Sequence, residues 1–393
     1  MHVIVVGAGI IGLATAWELR GRGASVTLID PAPGEGASYA AAGMIAPAAE
    51  IAWGQSPLFP LMRTSADLYP EFASRLTAET GHDLGETQTE TLVCAGDRAD
   101  LATLRDLRAL QAEAGSEVEL ITGSRARDLE PALSPGVSGA VRIPGDHAVD
   151  PRRITGALLS LLDDDIVREE ATGLVRVSGR TIGVTLADGR SLAADQIVLA
   201  AGEAAGSIAG TPDLPLRAVH GDIIRLRTDA SAPPLLTRTI RGLVAGRPVY
   251  IVPRPDGELV LGATSREDGR PGVLAEGVHR LLHDAERLVP GILDAEITEI
   301  TARARPGSPD DVPFIGRTDP GCVVSTGYFR HGILLTPLGA RLGADLTRGE
   351  DSPWLPAGAP AALAPRRFSE AAQSNESPSP RLVAAMTTAR KEP

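Results

Sequence analysis

The stretch Val3-Ile-Val-Val-Gly7-Ala-Gly9-Ile-Ile-Gly12 stands near the start of the chain, and Val26-Thr-Leu-Ile-Asp30 follows it. Four apolar, mostly β-branched residues predict a buried strand, and the glycine-rich turn after them opens a helix. The second apolar run predicts another strand that stops at an acid. Together they predict the strand–helix–strand unit that begins a dinucleotide-binding sheet.

The glycines of this unit have separate physical roles. Gly7 allows a sharp turn out of the strand, Gly9 allows backbone N–H groups to approach a pyrophosphate, and Gly12 allows close packing of helix and strand. The carboxylate of Asp30 can accept hydrogen bonds from ribose hydroxyls and would repel a 2′-phosphate, which argues against NADP. A glycine-rich turn alone can be only a tight connection, and it leaves FAD and NAD both open.

Composition excludes several classes of function. The chain has 393 residues, 43% of them hydrophobic, which is enough for two domains. Its net charge of -12 argues against nucleic acid or an anionic membrane as a partner. Cys94 and Cys322 lack metal-site spacing, and no apolar run is long enough to span a membrane, so we expect a cytoplasmic protein without a metal site. The single lysine, Lys391, excludes Schiff-base chemistry and a P-loop.

Patterning along the chain predicts two units and an extension. The first is an α/β unit in three pieces, and the second is built mainly on an antiparallel sheet. The extension is expected to be disordered from about residue 369, because Pro, Ala, Ser and Arg dominate it without a sustained period. The ranges are 1–84, 139–214 and 306–352 for the first unit, 85–138 and 215–305 for the second, and 353–393 for the extension.

Local patterns place the longer helices. Apolar residues recur at helical spacing between residues 56 and 81, and a charged amphipathic pattern covers residues 97–114. Asp150-Pro151 predicts the N-cap and first turn of another helix. A last helix is expected from about Leu338 to Arg348.

Several motifs together carry a likeness to a known family. They are the glycine turn at 7–12, the Ala40-Ala-Ala-Gly-Met44 loop, the Ala200-Ala-Gly202 corner, Arg305-Pro-Gly, and Gly327-Tyr-Phe-Arg-His-Gly-Ile-Leu-Leu-Thr-Pro337. Over roughly residues 1–350 the chain resembles the D-amino-acid oxidase superfamily of flavoproteins, and within it the glycine oxidases of thiamine biosynthesis. The resemblance favours FAD over NAD. It implies a glutathione-reductase-type Rossmann domain with an inserted, mainly antiparallel substrate domain.

The resemblance also assigns residues to the FAD site. Several of them act through backbone atoms, and the last turn presents successive N–H groups to the O2 and N1 region of the flavin. FAD is expected to be bound non-covalently. The residues implied are Gly7, Gly9, Ile10, Ile11, Gly12, Asp30, Pro31, Ala37, Ser38, Ala42, Gly43, Met44, Leu174, Ala201, Gly202, Tyr328, Phe329, Arg330, His331, Gly332, Ile333 and Leu334.

Three side chains are expected to bind the substrate. By the resemblance, Arg305 clamps the amino-acid carboxylate with its planar two-donor fork, and Arg330 and Tyr250 line the same site. Without the family likeness, Arg305 could instead pair at the surface with Asp310 or Asp311. Tyr250 could likewise be a core aromatic with a hydrogen-bonded hydroxyl.

Two positions depart from the family pattern. His331 stands where the family has asparagine, a change of little consequence if the turn acts through its backbone. His220-Gly-Asp222 replaces a basic residue, glycine and glutamine, which removes a long polar side chain near the substrate sheet.

The implied reaction is the oxidation of glycine, sarcosine or a small D-amino acid. A hydride passes from the substrate α-carbon to flavin N5 without a side-chain acid or base, and the imine hydrolyses to ammonia and the 2-oxo acid, which is glyoxylate from glycine. O2 takes up the electrons and is released as H2O2. The resemblance further implies a homotetramer and a link to thiazole synthase, which uses the imine in thiamine synthesis.

Alternatives stay open at this point. A sarcosine oxidase would activate O2 with an active-site lysine, which the single lysine in the tail argues against. A quinone-linked D-amino-acid dehydrogenase would consume no oxygen with its substrate. A non-catalytic flavin-binding scaffold would carry a basic surface or lack the substrate clamp, and the acidic net charge and the two arginines argue against it.

Overall fold

The computed structural model describes residues 1–54, 57–229, 231–356 and 358–368, so the prediction for the tail from residue 369 lies outside the described residues. The strands are β1 His2–Val6, β2 Ser25–Ile29, β3 Met44–Ile45, β4 Thr91–Ala95, β5 Glu119–Thr122, β6 Gly139–Ile143, β7 His147–Ala148, β8 Ile166–Val167, β9 Ala171–Val177, β10 Arg180–Leu186, β11 Ser191–Ala193, β12 Gln196–Leu199, β13 Arg217–Arg227, β14 Thr239–Val244, β15 Arg247–Pro253, β16 Glu258–Gly262, β17 Glu296–Gly307, β18 Phe314–Asp319 and β19 Cys322–Thr326. The helices are α1 Ile10–Gly21, α2 Ala37–Ala40, α3 Leu58–Thr80, α4 Arg98–Glu113, α5 Gly123–Leu129, α6 Pro151–Leu162, α7 Ala275–Leu288, α8 Thr336–Arg348 and α9 Ala359–Leu363.

A six-stranded sheet contains the N-terminal strand–helix–strand unit. Its strand order is β18-β19-β12-β1-β2-β8, and all neighbours are parallel except β18 and β19. Helices α1, α3, α6 and α8 cover one face, and the antiparallel sheet β11-β10-β9 covers the other. Residues Val3 to Val6 are at most 2% exposed because both faces are covered, which explains their continuous apolar sequence. The predicted α/β architecture is confirmed.

The local helix predictions are confirmed to within a few residues. The Asp150 carboxylate accepts hydrogen bonds from the N–H groups of Arg152 and Arg153, and Pro151 occupies the first turn of α6. Asp97 caps α4 in the same way. These ends were predictable because a cap and its helix are adjacent in sequence.

An eight-stranded sheet forms the second layer, with the order β17-β13-β16-β15-β14-β4-β6-β5. All neighbours are antiparallel except β14 and β4. One face packs on α7 through Leu281, Ala285 and Leu288, and the opposite face meets the 40–44 loop. The cavity described below lies on that opposite face.

The position of β6 corrects the sequence-based division. Residues 139–143 were assigned to the α/β unit, but β6 pairs with β4 and β5 in the eight-stranded sheet. Its partners lie elsewhere in sequence, so local patterning could identify the strand but not the sheet that contains it.

Two statements apply to the described residues as a whole. No helix among them is long and apolar enough to cross a membrane. No group of three or more His, Cys, Asp or Glu side chains in these ranges is arranged to hold a metal ion.

Candidate active site

A cavity of about 1130 Å³ is lined by residues from both main sheets. Drug-sized ligands occupy pockets of about 300 to 1,000 Å³, so this one has room for a dinucleotide together with a small substrate. One end is bordered by the glycine turn after β1. The other is bordered by the open face of the eight-stranded sheet.

The glycine turn has the geometry that the sequence predicts. Gly7 has φ +101°, and a β-carbon there would lie 2.4 Å from the carbonyl oxygen of Ala200. A β-carbon at Gly12 would lie 1.9 Å from the carbonyl oxygen of Gly7. No side chain caps α1 at Gly9, whereas the next N–H, that of Ile10, donates to Ser38 Oγ at 3.0 Å. The start of α1 therefore combines a helix N-terminus with the Ser38 hydroxyl, a setting suited to an anionic group.

Asp30 lies at the same end of the cavity. Its carboxylate accepts hydrogen bonds from the N–H of Ala8 at 2.6 Å and from the N–H of Ala32 at 2.8 Å. These two contacts hold it between the glycine turn and the loop after β2. An ionised carboxylate has about four acceptor positions, so Asp30 retains capacity for ribose hydroxyls.

The turn between β19 and α8 forms the cavity wall near the eight-stranded sheet. Side chains of α3 fix its outer side, because Ser65 donates to the carbonyl of Leu334 at 2.7 Å and Tyr69 donates to that of Ile333 at 3.0 Å. The N–H groups of residues 332–334 donate to no other described residue. Three adjacent free donors next to the cavity are suited to an anionic or carbonyl-bearing ring.

All but two of the predicted cofactor residues line this cavity. Gly12 is set back from it, where it packs on Gly7. Leu174, on β9, packs in the core beneath the three-stranded sheet, and Glu170 and Ala171 line the cavity from that region instead. Residues 40–44 are also in place, and Gly43 has φ +83°.

Two glycines of the eight-stranded sheet let Arg305 and Tyr250 lie across its open face. A β-carbon at Gly221 would be 2.3 Å from both Nη1 and Nη2 of Arg305, so the guanidinium from β17 lies over β13. A β-carbon at Gly262 would be 2.2 Å from the hydroxyl of Tyr250, so this ring from β15 lies over β16. Since β13 and β16 are neighbours, the two side chains converge in the middle of the sheet.

The Arg305 guanidinium faces the cavity, and most of its N–H groups have no hydrogen-bond partner among the described residues. Nη1 donates to the carbonyl of Thr264 at 3.2 Å, and no described carboxylate forms an ion pair with Arg305. Asp310 pairs with Arg367 and Asp311 pairs with Arg217, so the surface pairing considered above is not formed. The geometry thus leaves a planar fork of donors available inside the cavity.

Burial shifts the pKa values of Arg305 and Tyr250, and the shift of Tyr250 favours a donor role for its hydroxyl. Burial lowers the pKa of Arg305 from its usual value near 12.5 and raises that of Tyr250 from 10.0. A tyrosine whose pKa is raised stays protonated at neutral pH and can donate its hydroxyl hydrogen. Arg330 is exposed and also lines the cavity, with its guanidinium 4.8 Å from the centre of the Phe329 ring.

Comparison with known proteins decides the family. The family model described as FAD dependent oxidoreductase matches residues 2–346. The chain belongs to the FAD-dependent oxidoreductase family. This assignment confirms the resemblance found in the sequence and the preference for FAD over NAD.

Relatives of this oxidoreductase include glycine oxidase of Pseudomonas putida, which is 33% identical over 91% of this chain and 98% of its own length. The bifunctional protein ThiO/ThiG of a Nostoc species is 32% identical over 88% of this chain, and the chain spans 52% of that protein's length. The crystal structure of glycine oxidase from Geobacillus kaustophilus superposes with a TM-score of 0.84 at 30% identity, covering 92% of this chain and 97% of that one.

The residues of this FAD-dependent oxidoreductase fit the cofactor that its family implies. The start of α1, with the Ser38 hydroxyl beside it, lies at one end of the cavity, and the three free N–H groups of residues 332–334 lie at the other. The first matches a pyrophosphate and the second matches the polar edge of an isoalloxazine. FAD would thus be held mainly by backbone donors.

An ion pair that the sequence does not predict lies in the oxidoreductase's cavity. Arg241 on β14 forms a hydrogen-bonded ion pair with Glu50, and both side chains line the cavity. Arg254, which the sequence does not single out either, donates to the carbonyls of Ala42 at 2.5 Å and Val149 at 2.7 Å and so holds the 40–44 loop. These contacts join residues far apart in sequence, and no short sequence motif predicts them.

The two departures from the family pattern have different structural outcomes. Asp222 is fully buried and accepts a hydrogen bond from the Thr264 hydroxyl at 2.7 Å, so it supports the strand and does not line the cavity. His331 lines the cavity, is 1% exposed, and neither ring nitrogen has a hydrogen-bond partner among the described residues. Burial lowers its pKa to about 4, against the opposing charge of Glu50, so it is neutral at physiological pH.

Proposed function

We propose that this oxidoreductase is a glycine oxidase that converts glycine and small D-amino acids to the 2-oxo acid, ammonia and H2O2, and sarcosine to glyoxylate, methylamine and H2O2. The observation that carries the proposal is the convergence of Arg305 and Tyr250 on one face of the cavity that also contains the glycine turn. The relatives named glycine oxidase support the same reaction.

The substrate carboxylate is bound by donors at the sheet. In this proposal Arg305 supplies two parallel N–H groups and Tyr250 supplies its hydroxyl, a combination that fixes the orientation of an amino acid as well as its position. Arg330 adds a positive charge at the exposed side. Fixing the carboxylate orients the α-carbon, and reacting atoms held roughly 3 to 3.5 Å apart need little further rearrangement.

The redox chemistry belongs to the cofactor. When bound, FAD would supply the acceptor for the hydride of the substrate α-carbon and the route of those electrons to O2. The chain's own contribution is to position the substrate, and no side-chain acid or base is assigned to the reaction. The FAD contacts are proposed for the cavity-lining residues of the glycine turn, Asp30, the 40–44 loop and the 328–334 turn.

A partner and a cellular setting are part of the proposal. The relative that carries ThiO and ThiG names in one bifunctional protein supports delivery of the imine to a thiazole synthase for thiamine. We place the protein in the cytoplasm, as a homotetramer, and both cysteines are free and buried. The FAD-binding unit is proposed as residues 1–84, 144–214 and 306–352, with residues 85–143 and 215–305 forming the substrate unit.

The proposal is tested by anaerobic titration of the FAD-bound protein. Glycine, sarcosine, D-alanine and D-proline are added separately, and loss of the oxidised flavin absorbance is recorded. Glycine is expected to bleach the flavin, and admission of air is expected to restore the absorbance with one H2O2 formed per turnover. A flavin that none of the four reduces would refute the assignment, and reduction without oxygen uptake would indicate a dehydrogenase.

A further inference from the structure

Four arginines line the cavity, and they are not equivalent. Arg303 donates to the carbonyl of Glu35 in the loop after β2, and the other three lie nearer to Tyr250. Arg305 and Arg330 form no ion pair with any described carboxylate, whereas Arg241 is paired with Glu50. An unpaired guanidinium in a cavity is available to an anionic ligand, and a paired one is already satisfied. The question is therefore how the Arg241–Glu50 pair affects which substrates the cavity accepts.

Arg241 is placed to reach the same substrate as the carboxylate clamp. It lies on β14 directly opposite Tyr250 on β15, so the two side chains are cross-strand neighbours on the cavity face. Glu50 approaches from the segment after β3, where its N–H donates to the carbonyl of Ala46 at 3.0 Å. The side chains of Arg241 and Glu50 are 17% and 10% exposed, so solvent screens the pair weakly.

The Glu50 carboxylate is ionised at neutral pH. Burial works to raise its pKa, but the charge of Arg241, the charge that His331 gains in acid, and the charge of Arg330 lower it to about 2. The next carboxylate whose charge acts on Arg241 is that of Asp146, and burial raises its pKa to about 7. Glu50 is thus the constant counter-ion of Arg241, and its Oε2 lies 4.0 Å from Nδ1 of His331 at the cavity wall.

We propose that Glu50 determines substrate class by occupying Arg241, so that the site accepts amines with one carboxylate and rejects dicarboxylic amines such as iminodiacetate and D-aspartate. The inference rests on the proposed function, because it assumes that Arg305 binds the first carboxylate. A second carboxylate entering near Arg241 would meet the negative charge of Glu50, and like charges brought together in a weakly screened site repel.

Removal of the Glu50 charge should make the region around Arg241 attract a second substrate carboxylate instead of repelling it. In Glu50→Gln the neutral amide keeps a similar shape, and the Arg241 fork is freed for a carboxylate. The variant is expected to raise kcat/KM for iminodiacetate relative to glycine by at least about 10-fold. The double variant Glu50→Gln/Arg241→Gln has neither charge. It should neither reject dicarboxylic amines as the wild type does nor show the raised kcat/KM for iminodiacetate.

A binding assay tests the same idea without catalysis. Acetate, malonate, succinate and glutarate are titrated into each FAD-bound protein, and perturbation of the flavin absorbance gives dissociation constants. The wild type should bind acetate at least about 10-fold more tightly than any of the three dicarboxylates, and Glu50→Gln should reverse that order. The double variant should bind both kinds with similar affinity.

The outcomes separate this inference from the function itself. If glycine fails to reduce the wild-type flavin, the proposed function is wrong, while the order of dissociation constants still decides the role of Glu50. The inference is overturned if the wild type binds a dicarboxylate as tightly as acetate, or if the double variant keeps the gain of Glu50→Gln. If Glu50→Gln does not fold, the wild type and the double variant are compared instead. Loss of the acetate preference in the double variant supports the inference, and retention of that preference overturns it.

Discussion

The guanidinium of Arg305 lies directly over the α-carbon of Gly221, so closely that a β-carbon at position 221 would be 2.3 Å from two of its nitrogens. Arg305 lies in β17 and Gly221 lies in the neighbouring strand β13, so the position of the proposed clamp depends on the absence of a side chain in the next strand. The same relationship holds between Tyr250 and Gly262 on neighbouring strands β15 and β16. Two glycines, rather than a cluster of polar contacts, thus shape the substrate side of the cavity.

Gly221→Ala should displace the clamp without removing it. The added methyl group cannot fit beneath the guanidinium, and a misplacement of about 1 Å can cost about 100-fold in rate. We expect kcat/KM for glycine to fall by about that factor, with flavin content unchanged. Gly156→Ala is the matched control, because a β-carbon at Gly156 on α6 would meet no atom within 4 Å. Equal kinetics for the two variants would contradict the prediction.

Gly7→Ala should abolish cofactor retention. Position 7 has φ +101°, which L side chains rarely adopt, and its β-carbon would lie 2.4 Å from the Ala200 carbonyl oxygen. The turn would have to open, which moves the start of α1 away from the pyrophosphate position. The ratio of flavin to protein absorbance after purification measures the effect. Gly21→Ala, with nothing within 4 Å of the new β-carbon, should keep the wild-type ratio.

His331 should make the protein sensitive to acid. In the folded state burial lowers its pKa from 6.5 to about 4, opposed by Glu50, so the folded protein binds the proton less tightly than the unfolded chain. The stability contributed is complete above pH 6.5 and is lost as the pH falls to about 4. His331→Asn has no proton to gain, so its unfolding free energy should fall less over this window, by up to about 3 kcal/mol.

Denaturant midpoints of the FAD-bound proteins at about pH 7.5 and about pH 5 measure this difference. His82→Asn, a change at an exposed histidine, serves as the control and should follow the wild type. The interpretation would not survive if His331→Asn and the wild type lost the same stability between the two pH values.

The cofactor side was predictable from sequence for a physical reason. The strand, the turn and the helix of residues 3–21 are adjacent in sequence. The positive φ of Gly7 and the close approach of Gly12 to the Gly7 carbonyl are both local features of that turn. The caps at Asp97 and Asp150 were local in the same way. Such features need no knowledge of the remaining chain.

The substrate side was only partly predictable. The roles of Arg305 and Tyr250 came from family likeness, since nothing local distinguishes a clamp arginine from a surface one. The pairing of Glu50 with Arg241 joins positions 191 residues apart, through a sheet whose strand order the sequence does not state. The failure to assign β6 to the correct sheet has the same origin, because strand neighbours are set by long-range pairing.

The most direct test of the central claim is anaerobic titration of the flavin with glycine in the wild type and in Arg305→Met. The methionine fills space but provides no donor, and hydrogen bonds to a charged group contribute about 1.5 to 3 kcal/mol each. The account predicts that the variant keeps its FAD and needs at least about 100-fold more glycine for half-reduction. Half-reduction of Arg305→Met at the wild-type glycine concentration would contradict it.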